Sequence, residues 1–223
     1  MNSSFAGEEL LACAIARLVG DAAHVAVGAA SPIPATGVFL QKFRLGSLRV
    51  SLLQKRKGNP FTEGSRELFD LAGQGRIDVF FLGGAQIDGA ANLNLVQAEG
   101  RRFPGSFGSA FMYSAARRTI LFREEHSRRV LVPRVEFVSA AGKPAALLTG
   151  KALFSWSGRF VLESVHPGVT EKDVAECTGF AFDVAPGLHE TPAPTAEELA
   201  LLRGPVAGQI RLDYPEFARK VWS

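Results

Sequence analysis

One short run of residues does most to fix what this chain can become. Ile77-Asp78-Val79-Phe80-Phe81-Leu82 is rich in β-branched and aromatic residues, the composition of a buried strand. It stops at Gly83-Gly84, and Ala85-Gln86-Ile87-Asp88-Gly89 follows. An amide, a carboxylate and bare backbone therefore gather at one strand end. In open α/β sheets the carboxyl ends of strands are where ligands bind. Asn92 and Asn94 come next on alternate positions, and then a second small-residue segment, Phe103-Pro104-Gly105-Ser106-Phe107-Gly108-Ser109-Ala110. Two glycine-rich loops this close can collect backbone N–H groups around a polar ligand. Glycines after a strand also make plain turns, so the loops alone leave both readings open.

The rest of the chain alternates helical and strand patterns. Residues 8 to 19 have Leu11, Ala14, Ile15 and Leu18 at helical spacing, acids at the start and Gly20 as a stop. His24 to Gly28 reads as a strand with a small-residue exit over Ala29 to Ala35, and Val38 to Phe43 begins a helix. Leu48 to Leu53 is the next strand, and Ser65 to Leu71 a helix with Ser65 near its N-cap. Ala110 to Arg118 is expected to be helical. Thr119 to Phe122 and Arg129 to Val132 read as strands flanking an exposed charged turn, Arg123-Glu124-Glu125-His126-Ser127-Arg128. Ala152-Leu153-Phe154 and Phe160 to Glu163 make an antiparallel hairpin through Ser157-Gly158-Arg159. Thr170 caps a helix through Glu176, with Asp173 in the capping-box position, and Phe180 to Val184 is a last strand. The expected fold is an open, mainly parallel α/β sheet whose C-terminal portion is partly antiparallel. Residues 1–185 form this domain. Residues 186–223 form a Pro-rich arm with a short helix capped by Thr195, expected to lie on a neighbour.

Composition narrows the function. Hydrophobic residues at 47% and charged residues at 21% describe an ordinary globular chain. The net charge of +3 is spread over Lys55-Arg56-Lys57, Arg101-Arg102, Arg117-Arg118 and Arg128-Arg129, without interleaved aromatics, which speaks against nucleic acid. Cys13 and Cys177 have neither disulfide nor metal-ligand spacing. No run reaches the roughly 18 apolar residues of a membrane span, and no leader pattern opens the chain, so the expectation is a cytoplasmic protein without metal.

The order of two motifs is more specific than either alone. Gly83-Gly84-Ala85-Gln86-Ile87-Asp88-Gly89, Asn92-Leu93-Asn94 and Pro104 to Ala110 resemble the β-subunit half of the family I coenzyme A transferases. So does His166-Pro167-Gly168-Val169-Thr170 with Asp173-Val174 and Thr178-Gly179-Phe180. The resemblance covers roughly residues 8 to 185. It implies a three-layer α/β/α domain that shares an active site with an α-subunit, as a heterodimer or heterotetramer. It further implies a coenzyme A thioester as substrate and no bound cofactor. Gly83 and Gly84 would lie near the thioester carbonyl, Gln86 and Asp88 would shape the loop or bind substrate, and Ser106 and Gly108 would line the opposite wall. The likeness extends to subunits that hydrolyse a ring on a CoA thioester.

One departure bears on mechanism. The family ends its second strand with a glutamate that attacks the acyl-CoA, whereas this chain has Gln54-Lys55-Arg56-Lys57 there. A cationic side chain cannot form an acyl anhydride. Three readings follow: a β-subunit acting by transfer or hydrolysis, a structural subunit without a nucleophile, or a sugar-phosphate isomerase or sensor on the same fold.

Overall fold

The computed structural model describes residues 5–53, 55, 61, 63–103, 106 and 108–223. In chain order its elements are α1 (Gly7–Val19), β1 (His24–Val27), α2 (Pro32–Leu45), β2 (Arg49–Leu52), α3 (Ser65–Gly73) and β3 (Val79–Leu82). Four two-residue strands follow: β4 (Gln86–Ile87), β5 (Leu93–Asn94), β6 (Gln97–Ala98) and β7 (Arg101–Arg102). Then come α4 (Ser109–Ala115), β8 (Arg118–Arg123), β9 (Ala146–Thr149), β10 (Ala152–Trp156), β11 (Phe160–Val165), α5 (Glu171–Cys177) and β12 (Asp183–Glu190). The chain ends in α6 (Ala196–Leu201), α7 (Ala207–Asp213) and α8 (Pro215–Val221). It divides into two compact units, one of Met1–Leu68, Ile77–Val79 and Pro192–Ser223, the other of Phe69–Arg76 and Phe80–Thr191.

In the first unit α1 follows its sequence pattern closely. The Glu9 carboxylate reaches back to the Ala6 N–H at 2.9 Å, and Gly20 at φ +59° returns its N–H to the Ala16 carbonyl. Strand β1 pairs in parallel with β2, His24 opposite Arg49 and Val27 opposite Leu52. Asp78 fixes the entry to β1 by accepting the N–H groups of Ala23 and His24, each at 2.9 Å. Helix α2 begins at Pro32, earlier than the Val38 start expected from sequence. Pro32 and Pro34 fall in the first turn, where a missing N–H costs nothing, so residues that read as a loop open a helix.

The C-terminal tail differs from expectation in its packing. Its sequence suggests an arm laid on a neighbour, yet Leu202, Val206, Ala207, Ile210 and Ala218 are fully buried within the first unit. Arg17 donates to the Pro192 and Ala193 carbonyls and pairs with Glu198 at 2.9 Å. Arg203 grips the buried Glu9 carboxylate at 2.8 and 2.9 Å, and the Trp222 indole adds a third donor. Burial is the largest single effect on the Glu9 carboxyl and pushes its pKa up, but these contacts together outweigh it and hold the carboxyl below its usual value. A buried acid met by several donors is the arrangement that makes burial tolerable.

In the second unit the strands run in the order β12-β11-β10-β9-β8-β3. β8 and β9 are parallel, β9-β10-β11 antiparallel and β11-β12 parallel, which is the partly antiparallel C-terminal portion expected. The β10–β11 hairpin and the α5 capping box, Thr170 with Asp173, stand where the sequence puts them. Three expectations change. Residues 129–132 are not a strand: the Val130 and Leu131 N–H groups fold back onto the Ser127 carbonyl, and only Leu131 bridges to Ile87. Helix α4 stops at Ala115, and Ala116 turns extended so that Arg118 can open β8. Strand β12 runs over Asp183–Glu190 and not from Phe180 to Val184. Its pairing jumps from Val184 to His189, because Pro186 has no N–H to give the ladder.

Candidate active site

The loop after β3 is built around a carboxylate. Asp88 is 3% exposed, and its Oδ1 accepts the N–H groups of Ala90 and Asn92 at 3.0 and 3.1 Å. Its Oδ2 accepts the Asn92 side-chain amide and the Val135 N–H, each at 3.2 Å. A carboxylate offers about four acceptor positions, and all four are occupied by this chain. The turn it stabilises holds Ala91 at φ +59°, and the Tyr113 hydroxyl from α4 donates to the Ala91 carbonyl at 3.0 Å. Burial, with the Asp88 charge behind it, raises the Tyr113 pKa and keeps that donor protonated.

Gln86 is engaged in the same way. The β4–β5 pairing sets Gln86 opposite Asn94, whose side-chain amide donates to Gln86 Oε1 at 2.8 Å. The Glu136 N–H donates to the same oxygen at 3.1 Å, and Gln86 Nε2 donates to the Glu136 carboxylate at 2.7 Å. The Glu99 N–H reaches that carboxylate too, at 3.2 Å to Oε2. The polar pair that stands out in the sequence thus ties the loop to residues 135–136.

The glycines are required by close approach. A Cβ on Gly84 would stand 2.9 Å from the Gln86 carbonyl oxygen, and one on Gly83 would stand 3.0 Å from the Phe122 carbonyl oxygen. At these two positions a side chain would collide with the chain's own backbone. Gly108 is left-handed at φ +67°, just ahead of α4, and a Cβ there would meet the Phe69 ring, with Cε1 at 2.6 Å. The Ser106 carbonyl accepts the Ser109 N–H at 2.8 Å and its hydroxyl as well, closing the entry to α4. Pro104, Gly105 and Phe107 lie outside the described residues. So do Gln54 and Arg56, whereas Lys55 is half-buried with its N–H on the Leu52 carbonyl at 3.1 Å. Among the described residues no three His, Cys, Asp or Glu side chains are grouped to hold a metal.

The charged turn after β8 overturns another expectation. Its sequence suggests exposure, yet His126 is 7% exposed, with Nδ1 2.8 Å from the Thr149 hydroxyl and Nε2 3.0 Å from the Thr178 hydroxyl. Thr178 directs its own proton to the Val174 carbonyl and Thr149 its own to the Ala152 carbonyl, so each ring nitrogen of His126 faces a hydroxyl oxygen that can accept. His166 lies nearby in the same unit, its Nε2 on the Thr149 carbonyl at 2.8 Å and its Nδ1 on the Thr191 hydroxyl at 2.9 Å. Nothing local could have signalled this, because Glu124, Glu125, Arg128 and Arg129 surround His126 while its partners lie 23 and 52 residues away.

Burial first, and then the Lys151 charge, lower the His126 pKa from 6.5 to about 4, and burial also lowers that of His166. The unfolded chain therefore binds a proton near pH 6.5 that the folded chain refuses until about pH 4. Stability falls as pH drops through that window, by about 3 kcal/mol for His126, and is unchanged by this group above it. Urea midpoints measured between pH 7 and 4.5 should show this slope, and His126→Gln should flatten it. Equal slopes for the two proteins would refute the neutral assignment.

Comparison with known proteins places this geometry. Residues 9–176 match the family model described as Coenzyme A transferase. The chain is similar to one of the subunits of 3-oxoadipate CoA-transferase from Pseudomonas knackmussii, 32% identical over 153 residues, or 58% of each chain. It is also similar to the beta subunit of acetate CoA-transferase from Haemophilus influenzae, 29% identical over 141 residues, covering 61% of this chain and 62% of that one. Both matches span less than two thirds of the relative's length. Among solved structures the chain resembles the decarboxylase AibA/AibB, with a TM-score of 0.80 and 25% identity over 98% of this chain and 99% of that one. It shares the fold of glutaconate coenzyme A-transferase from Acidaminococcus fermentans, with a TM-score of 0.77 and 20% identity over 90% and 94% of the two chains. The α/β sheet flanked by helices expected from sequence is the fold of these structures.

Proposed function

The chain belongs to the coenzyme A transferase family, and from that premise we propose that it is the β-type subunit of a heteromeric enzyme acting on an acyl-CoA thioester. The match over residues 9–176 carries this reading. The naming of one relative as a beta subunit, and of a solved neighbour as the pair AibA/AibB, supports an α-type partner. In this proposal the backbone at Gly83 and Gly84 approaches the thioester carbonyl, and Ser106 and Gly108 form part of the opposite wall. Gln86 and Asp88 hold the loop in shape, since their polar atoms are bonded within the chain. Preorganised N–H groups of this kind stabilise a developing oxyanion, usually the largest single contribution in such chemistry.

The missing glutamate shapes the rest of the proposal. Residues 54–57 are Gln, Lys, Arg and Lys, and the Glu67 carboxylate downstream is bonded to the Glu63 N–H at 2.9 Å. Covalent transfer through a glutamyl thioester on this chain is therefore disfavoured. The nucleophile or base comes from the partner, and hydrolysis on a CoA thioester is the alternative to transfer. No helix among the described residues is long and apolar enough to cross a membrane, and the proposed setting is the cytoplasm. Co-expression with an α-type subunit, followed by an acyl-CoA screen with mass spectrometry of both chains, tests the reading. Turnover should appear only in the complex, with no acyl adduct on this chain. Turnover by this chain alone, or an adduct on it, would sink the proposal.

A further inference from the structure

The end of β8 holds a charged group that the glycine loops do not employ. Arg123 closes that strand, is half-buried, and its Nε is shut off from solvent with no hydrogen-bond partner among the described residues. A buried N–H of a charged group without an acceptor is unfavourable and calls for an explanation. The acid that pairs with Arg123 supplies none. Arg123 Nη2 stands 3.9 Å from Glu125 Oε2, beyond hydrogen-bond reach. Glu125 is committed to the Arg129 guanidinium at 2.5 Å and the Ser127 hydroxyl at 2.7 Å. The Arg123 guanidinium thus has a buried Nε–H without an acceptor on a side chain that is otherwise partly open to solvent.

Its position points to a ligand. In the sheet order β8 lies between β9 and β3, and Arg123 faces Thr149 in the parallel β8–β9 register. One residue earlier, the Phe122 carbonyl closes on Gly83, where β3 ends. The carboxyl ends of β3 and β8 therefore meet, and that is where open α/β sheets receive ligands.

We propose that Arg123 is an oxyanion-binding residue of this strand-end site, its Nε and one terminal nitrogen forming a fork for a carboxylate or phosphoryl group. The planar guanidinium matches two oxygens of such a group and stays charged at every working pH. Two sources share this chemistry: a free carboxylate at the far end of an acyl chain, or a phosphate of the coenzyme A carrier. Only the choice between these sources rests on the function proposed above.

Nitrogen–proton correlation spectra of arginine side chains in the full chain give the test, with the Arg123 Nε–H signal assigned by its loss in Arg123→Gln. Glutarate, inorganic phosphate and coenzyme A are the probes. Glutarate should shift the Arg123 signal while that of Arg159, exposed and paired with Asp183, stays put. Arg123→Gln should weaken glutarate binding about tenfold or more. A shift with phosphate and coenzyme A but not glutarate assigns the group to the carrier. No shift with any probe up to tens of millimolar overturns the proposal. An anion-responsive Arg123 in a complex that turns over no acyl-CoA would keep this site and remove the enzymatic reading instead.

Discussion

Gly37→Ala lowers the stability of this protein by about 2–3 kcal/mol, while Gly208→Ala raises it by about 0.5–1 kcal/mol. Both glycines lie inside helices, and in both the new methyl removes backbone freedom from the unfolded chain. The difference is what the methyl meets. At Gly37 the Cβ would fall 2.5 Å from the Ala12 carbonyl oxygen and against the Ile15 side chain, where α2 crosses α1. Ala12, Ile15, Ala16, Val38 and Leu40 are fully buried around that crossing, so the clash can be relieved only by moving one helix off the other. At Gly208 nothing lies within 4 Å, and the gain in helix propensity is left unopposed. Urea denaturation of the two variants gives the comparison directly. A Gly37→Ala protein as stable as the parent would mean that the α1–α2 contact has room to spare.

Gly37 also shows what can be read from the sequence and what cannot. Helix α1 is legible because its apolar spacing, acidic first turn and Gly20 stop agree, and α5 because Thr170 and Asp173 form a local capping box. Each depends on neighbours within a turn or two. The start of α2 is hidden because Pro32, Pro34 and Gly37 are punctuation in most chains, and only the packing on α1 turns them to use. The path of β12 is hidden for a related reason, since a strand that hops over Pro186 and Gly187 leaves no alternating pattern. At the candidate site the sequence singles out Gln86 and Asp88 but does not show their partners. Glu136 and Val135 lie 50 and 47 residues further along the chain, and only tertiary structure brings them to the loop. Arg123 does not stand out among many arginines because its neighbours in sequence, two glutamates, suggest a solvated turn. Burial of its Nε is what sets it apart.

Asp88→Asn should destabilise the chain by about 2–3 kcal/mol and lower activity of the complex only as far as the loop loses order. The carboxylate accepts four N–H bonds, two on each oxygen. An amide keeps one oxygen and turns the other into a donor. If its nitrogen replaces Oδ1, it faces the N–H groups of Ala90 and Asn92. If it replaces Oδ2, it faces the Asn92 amide and the Val135 N–H. Neither rotamer avoids a pair of donors pointed at a donor, so the substitution that best preserves shape is still costly. The loss falls on the turn that carries Ala91 at positive φ, and through Val135 on Glu136, which positions Gln86. A substrate-binding role would look different: folding unchanged, with kcat/KM reduced at all temperatures. The measurements are the thermal midpoint and, in the complex, kcat/KM well below that midpoint. A variant that unfolds at the parental temperature yet has lost most of its turnover would transfer Asp88 from the scaffold to the substrate, and with it the assignment of the loop's polar side chains.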